Sequence, residues 1–252
     1  MSWPIWTPAA LSSEARAYRG RAWRMVEAQH RVSTLKLVDS LAEQALLEDI
    51  LETTKPRIPL ECRHLDYLLA TPFRYGAPYP HGSRFRRAGL TPGVFYASER
   101  PETAAAEIVF YRFLFFAESP ATPFPDGAAE YTAFSADVTS IGALDLTAEP
   151  LNRDAAHWTH LTDYEACQSL AEAAREADLQ LIRFRSVRDP GQGANLALLT
   201  CRAFAGSAPR DRQTWRIRIG ARGAQAICEF PAIGIEFPRE AFLADPRLNP
   251  SA

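Results

Sequence analysis

Three short segments of this 252-residue chain carry side chains able to do chemistry. The first, Gly82-Ser83-Arg84-Phe85, places Arg84 beside Arg86 and Arg87 between Gly82 and Gly89. A guanidinium there either decorates an exposed basic turn or cradles an anionic diphosphate through paired N–H donors. The second, Glu102 to Glu107, sets Glu107 among Ala104, Ala105, Ala106, Ile108 and Val109. That carboxylate either faces solvent or is partly buried to a purpose, because burying it unpaired is costly or displaces its pKa. The third runs from Arg183 to Leu196 and holds Ser186, Arg188, Asp189 and Asn195 in a turn-rich stretch. Taken alone, Ser186 reads as a turn or capping serine. No Gly-x-Ser-x-Gly elbow surrounds it, which argues against a serine-hydrolase nucleophile.

Several other chemistries lack their motifs. Gly191-Gln192-Gly193 has two glycines of a dinucleotide fingerprint, but the third is missing and the segment leads into a strand pattern, not a helix that could receive a pyrophosphate. There is no phosphate-binding loop and no H-E-x-x-H. His30, His64, His81, His157 and His160 form no recognisable zinc set, and Cys62, Cys167, Cys201 and Cys228 are too dispersed for a metal or redox motif. No metal and no resident cofactor is therefore expected, and the thiols read as buried groups in a reducing compartment.

All but Lys36 and Lys55 of the 28 basic residues are arginines, the better residue for bidentate anion contacts. A net charge of -2 gives no general attraction to nucleic acid or anionic membranes. The arginine turn also lacks the interleaved aromatics of a single-strand groove. The most apolar run, Ala104 to Ala117, contains Glu107 and Arg112 and is shorter than the ~20 residues of a membrane span. The first residues have neither a basic region nor a continuous apolar stretch like a signal peptide. A cytoplasmic protein is expected, with no nucleic-acid or membrane partner.

The elements that must position these groups follow from periodicity. Residues 1–20 read as an irregular arm. Leu35, Val38, Leu41, Ala45 and Ile50 recur at helical spacing, capped at Ser33 or Thr34 and ended by Lys55-Pro56; core packing is the expected use of that stripe, a contact surface its rival. A loop with a short helix near Leu65–Leu69 follows, then a strand at Val94–Ala97. A helix from Ser98/Pro101 to about Phe116 has its stripe at Ala104, Ile108, Tyr111 and Phe115. Strands are predicted at 130–138 and 141–146. Thr162-Asp163-Tyr164-Glu165 reads as a capping box opening a helix to about Ala177. Strands at 179–184 and 195–199, a hairpin at 213–219 and 224–230, and a short helix at 239–243 complete the chain. This uneven alternation predicts an α+β fold, a compact mixed sheet with flanking helices.

Considered together, Gly82–Phe85, Phe95-Tyr96-Ala97-Ser98, Glu102–Glu107, Ile182–Arg188 and Gly193–Ala197 resemble the arginine, tyrosine, glutamate and serine blocks of the RES-domain family. Trp23-Arg24-Met25-Val26 is similar to its opening arginine-bearing strand. The match spans about residues 70–205, and Val32–Lys55 resembles an extension found in longer members. The resemblance thus implies an N-terminal arm and helical extension over 1–69 and a catalytic domain over 70–252. It further implies a fold similar to the ADP-ribosyltransferase toxins, and an enzyme of a toxin–antitoxin pair that consumes NAD as substrate. In that reading Arg24 and Arg84 contact the diphosphate, Tyr96 lies against the nicotinamide or its ribose, Glu107 engages that ribose, and Ser186 and Asn195 complete the pocket. Arg84, Glu107 and Ser186 form the catalytic set, with Arg24, Tyr96 and Asn195 binding substrate. Water, phosphate or a protein side chain remains open as acceptor. A non-catalytic binding module with the same fold is the rival. The resemblance also implies a helical antitoxin as partner and allows association into a homo-oligomer.

Overall fold

In the computed structural model, residues 6–28, 37–75, 82–89 and 91–249 are described. The expected irregular arm is instead a helix and a strand. Thr7 caps α1 (Pro8–Glu14) by accepting the amide of Ala10 at 3.2 Å, with proline in the first turn. β1 (Arg16–Glu27) follows at once and pairs antiparallel with β3 (Ala129–Asp145), from Arg16 opposite Ala143 to Glu27 opposite Tyr131. A strand from before position 69 therefore belongs to the same sheet as the strands after it.

β3 replaces the two strands predicted at 130–138 and 141–146. The change of pattern near Ser140 marks a change of neighbour, not a turn. On one edge β3 pairs first with β6 (Arg212–Gly220) and at its end, in parallel, with β4 (Leu181–Arg185); β1 occupies the other edge. β4 pairs with β5 (Ala194–Leu198), β5 with β2 (Phe95–Ser98), and β2 returns to β1 where Ser98 faces Trp23. Five strands thus close a circuit. β6, β7 (Gly223–Cys228) and β8 (Ile233–Pro238) extend it as an antiparallel meander.

Inside the circuit pack Phe95, Phe134, Leu196 and Leu198. α4 (Pro101–Glu118) covers the meander through Phe110 and Phe113 against Tyr131 and Trp215. This helix is apolar almost all round, so its predicted stripe is not its core face. Val109, Phe110 and Phe113 are buried, whereas Tyr111 and Phe115 are 54% and 47% exposed. On the other side, α1, α5 (Ala155–Trp158) and α6 (Glu165–Glu176) bury Leu11, Trp158 and Leu170 against Leu144 and Ile182. The predicted capping box does not form. Tyr164 is the cap residue, and Asp163 accepts the amide of Glu165 at 2.9 Å.

The extension contains α2 (Leu41–Thr54), capped by Ser40; the expected caps Ser33 and Thr34 lie outside the described residues. Its leucines are not core: Leu41 is 76% and Leu46 60% exposed. Glu52 ties it to the buried Arg74 at the end of α3 (Tyr67–Arg74), the helix expected slightly earlier in the sequence.

Candidate active site

The tight turn from Ser83 to Arg86 is closed by reciprocal backbone bonds of 2.8 and 3.1 Å and pinned to α6, where Gln168 donates to the Ser83 carbonyl at 3.0 Å. It buries Phe85 and turns Arg84 inward, while Arg87 points away to pair with Glu172 at 2.7 Å. Arg84 donates to the Trp158 carbonyl at 2.8 Å and lies over the Tyr164 ring, 4.6 Å from its centroid. Arg24 reaches from β1 to the Tyr96 carbonyl at 2.7 Å and lies 5.2 Å from the Phe95 centroid. Among the described residues, carbonyls, rings and, for Arg84, the Cys167 sulfur at 3.9 Å hold these two guanidiniums, and neither forms an ion pair with a carboxylate. Burial pushes Arg24 down to about 10, still a cation at neutral pH but one short of stabilising partners.

Tyr96 ties the turn to the sheet. Its hydroxyl accepts the Phe85 amide and shares a hydrogen bond with Ser83 Oγ, both at 2.8 Å. Burial pushes the phenol up to about 12, so it stays protonated.

Glu107 comes from α4, just after a turn, Thr103 to Ala106, that is buried all round. Its Oε1 accepts from Ser186 Oγ at 2.7 Å and from Asn195 Nδ2 at 2.6 Å. Both donors are themselves aimed. Ser186 Oγ accepts the amides of Arg188 and Asp189 at 3.2 and 3.0 Å, which directs its proton to Glu107. Ser98, opposite Asn195 in the β2–β5 register, donates to Asn195 Oδ1 at 2.7 Å and so turns the amide nitrogen toward the carboxylate. The 186–193 loop is shaped by Asp189, which accepts from Thr103 Oγ1 at 2.7 Å and from the amides of Gly191 and Gly193 at 2.8 and 3.1 Å. Gly193 has no room for a side chain: a Cβ would stand 2.1 Å from Thr103 Oγ1.

Five of the six expected residues, Arg24, Arg84, Tyr96, Glu107 and Asn195, line one cavity of about 290 Å³. Ser186 is 2% exposed and stands behind Glu107, orienting it. The cavity also takes in Ser98, Tyr111, Tyr164 and Arg188. Tyr111 was legible only as a member of the apolar stripe, and Ser98 only as a helix-opening residue and as the last residue of the tyrosine block, with no role in the site. Three guanidiniums thus share a concave site with one hydrogen-bonded carboxylate, an arrangement suited to holding an anionic ligand while stabilising positive charge that develops beside Glu107.

An α+β protein with an arginine-and-glutamate pocket of this kind is the class that fold and site define. The RES domain model matches residues 56–219, and the chain belongs to that family. No curated protein matches the sequence. Among solved structures, the chain is similar to one in the crystal structure of the M. tuberculosis MbcT–MbcA toxin–antitoxin complex, at 14% identity and a TM-score of 0.47, covering 81% of this chain and 89% of that one. No helix among the described residues is long and apolar enough to cross a membrane.

Proposed function

We propose that this protein is the toxin of a toxin–antitoxin pair and cleaves the nicotinamide–ribose bond of NAD, transferring the ADP-ribose portion to water or phosphate. The observation that carries this reading is the shared cavity: Glu107, fixed by Ser186 and Asn195, faces the same space as Arg24 and Arg84, two cations without carboxylate partners among the described residues.

In this mechanism the guanidiniums bind the diphosphate and Tyr96 packs against the nicotinamide nucleoside. As the C–N bond breaks, its electron pair leaves with nicotinamide and the ribose gains oxocarbenium character, as in glycoside cleavage. Glu107, bonded to a ribose hydroxyl, stabilises that charge more in the transition state than in the ground state. The departing nicotinamide is neutral and needs no strong general acid. Attack by water on the sugar carbon, with release of its proton to solvent, gives ADP-ribose. Phosphate attacking the same carbon gives the phosphorylated sugar.

A cell making this activity needs it restrained. A helical antitoxin would achieve this by placing an acidic group against Arg24 and Arg84, occupying the diphosphate position. The test is expression of the wild-type chain alone in a bacterial host, beside Glu107→Gln. Collapse of cellular NAD and growth arrest with the wild type only is expected. Normal growth and NAD with soluble full-length wild-type protein present would refute the proposal.

A further inference from the structure

A second charge cluster adjoins the cavity and joins Arg188 to a segment beyond the family match. Asp245, 1% exposed, sits just before the short turn Pro246–Leu248, whereas the RES domain match ends at residue 219. Its carboxylate serves two arginines. Arg188 Nη1 meets Oδ2 at 2.5 Å, and Arg247 Nη2 meets the same oxygen at 2.9 Å, with Arg247 Nε on Oδ1 at 3.0 Å. Burial works to raise this carboxyl, but the hydrogen bonds from Arg247 and the charges of both arginines outweigh it and hold it below the ordinary carboxylate range.

Arg247 is 32% exposed and screened by water, so the buried ion pair is Arg188 with Asp245. Of the two arginines, Arg188 lines the cavity. Its side chain is 4% exposed, its Nη2 donates to the Leu161 carbonyl at 2.8 Å, and its Cζ lies 3.8 Å from the centroid of the Phe110 ring. An anion entering the cavity would therefore meet a guanidinium already fixed in place by one buried carboxylate. Guanidinium carries five N–H donors, and the contacts to Asp245 and Leu161 leave Arg188 others to offer.

We propose that Arg188 is a third phosphate-binding residue of the cavity, held in place by Asp245, so that the ligand's phosphate groups meet three guanidiniums and not two; this rests on the reading of the site as one for a phosphate-bridged dinucleotide. The C-terminal segment is then part of the binding site and not only a cap on α4.

Calorimetry with ADP-ribose, inorganic pyrophosphate and phosphate-free nicotinamide riboside tests this without turnover. Arg188→Gln is expected to weaken ADP-ribose and pyrophosphate by about tenfold or more, as for loss of a charge-assisted contact, and to leave nicotinamide riboside unchanged. Arg247→Gln, which cuts only the outer arm of the triad, should weaken ADP-ribose by less than about threefold. Equal ADP-ribose affinity in wild type and Arg188→Gln overturns the assignment, and so does an equal loss on nicotinamide riboside. If Arg188→Gln fails to fold, Arg188→Lys decides: it keeps the charge but not the forked donors, and unchanged ADP-ribose affinity in that variant refutes the role. Wild-type protein that binds pyrophosphate but not ADP-ribose removes the dinucleotide reading and leaves Arg188 to be judged on pyrophosphate alone. Wild type that binds neither removes both.

Discussion

Replacing Glu107 by glutamine isolates the charge of the proposed catalytic carboxylate from its shape. Oε1 accepts both of the carboxylate's hydrogen bonds, from Ser186 at 2.7 Å and Asn195 at 2.6 Å. A glutamine satisfies both donors with its carbonyl oxygen and turns its NH2 group toward the cavity. The fold and the wall of the pocket are preserved, while an anionic acceptor facing substrate becomes a neutral donor. Removing one preorganised electrostatic contact of this kind costs about 10²–10³ in rate, or roughly 2.7–4 kcal/mol of transition-state stabilisation. Because Arg24 and Arg84 are untouched, NAD should still bind within roughly threefold of wild type, so the loss falls on kcat and not on KM. The assay is nicotinamide release at saturating NAD, with NAD affinity and melting temperature measured on the same samples. A variant that folds, binds NAD and turns over within a few-fold of wild type would show that the carboxylate has no electrostatic role.

Ser98→Ala should free the Asn195 amide to turn its carbonyl toward Glu107, lowering kcat by about tenfold with little change in KM and no large change in melting temperature; loss of stability alone would make Ser98 merely structural. Gly193→Ala should lower stability by about 1–3 kcal/mol and abolish turnover, because the new Cβ meets Thr103 Oγ1 at 2.1 Å and Asp189 Oδ2 at 2.7 Å; thermal melts and the nicotinamide assay report both. Glu52 is held down to about 2 from its ordinary 4.5, first by the hydrogen bond from Arg74. A depressed carboxyl stabilises fully above its unfolded pKa and loses that contribution as pH falls through the folded value, so protection of α2 from proteolysis or amide exchange should decline between pH 4.5 and 2 in wild type. Glu52→Gln should show low protection without that decline, and an identical profile in both would contradict the anchor.

Much of this architecture was legible because local signals agreed with the tertiary outcome. Pro101 and the apolar run behind it specify α4, and the alternation around Gly220–Gly223 specifies the β6–β7 hairpin. Signals failed where partners decide the pattern. β3 changes neighbours along its length and so reads as two strands. β8 carries Gly234 and ends on Pro238, residues that weaken a strand signature although the meander pairs it throughout. α2 has a helical apolar pattern that predicts core, yet its leucines face outward, because periodicity records amphipathicity and not what lies opposite. In the site, Arg84 and Glu107 stood out from their immediate neighbours. The roles of Ser98 and Arg188 did not, since they depend on the β2–β5 register and on an aspartate near the chain's end.

The reaction proposed for this pocket is cleavage of the nicotinamide–ribose bond of NAD. Purified full-length protein, freed of any bound inhibitor, should release free nicotinamide from NAD in buffer with or without inorganic phosphate. ADP-ribose or its phosphorylated counterpart should appear in equal amount, and Glu107→Gln protein should release about 10²–10³ times less. Intact NAD after incubation with folded wild-type protein in both buffers would contradict the account.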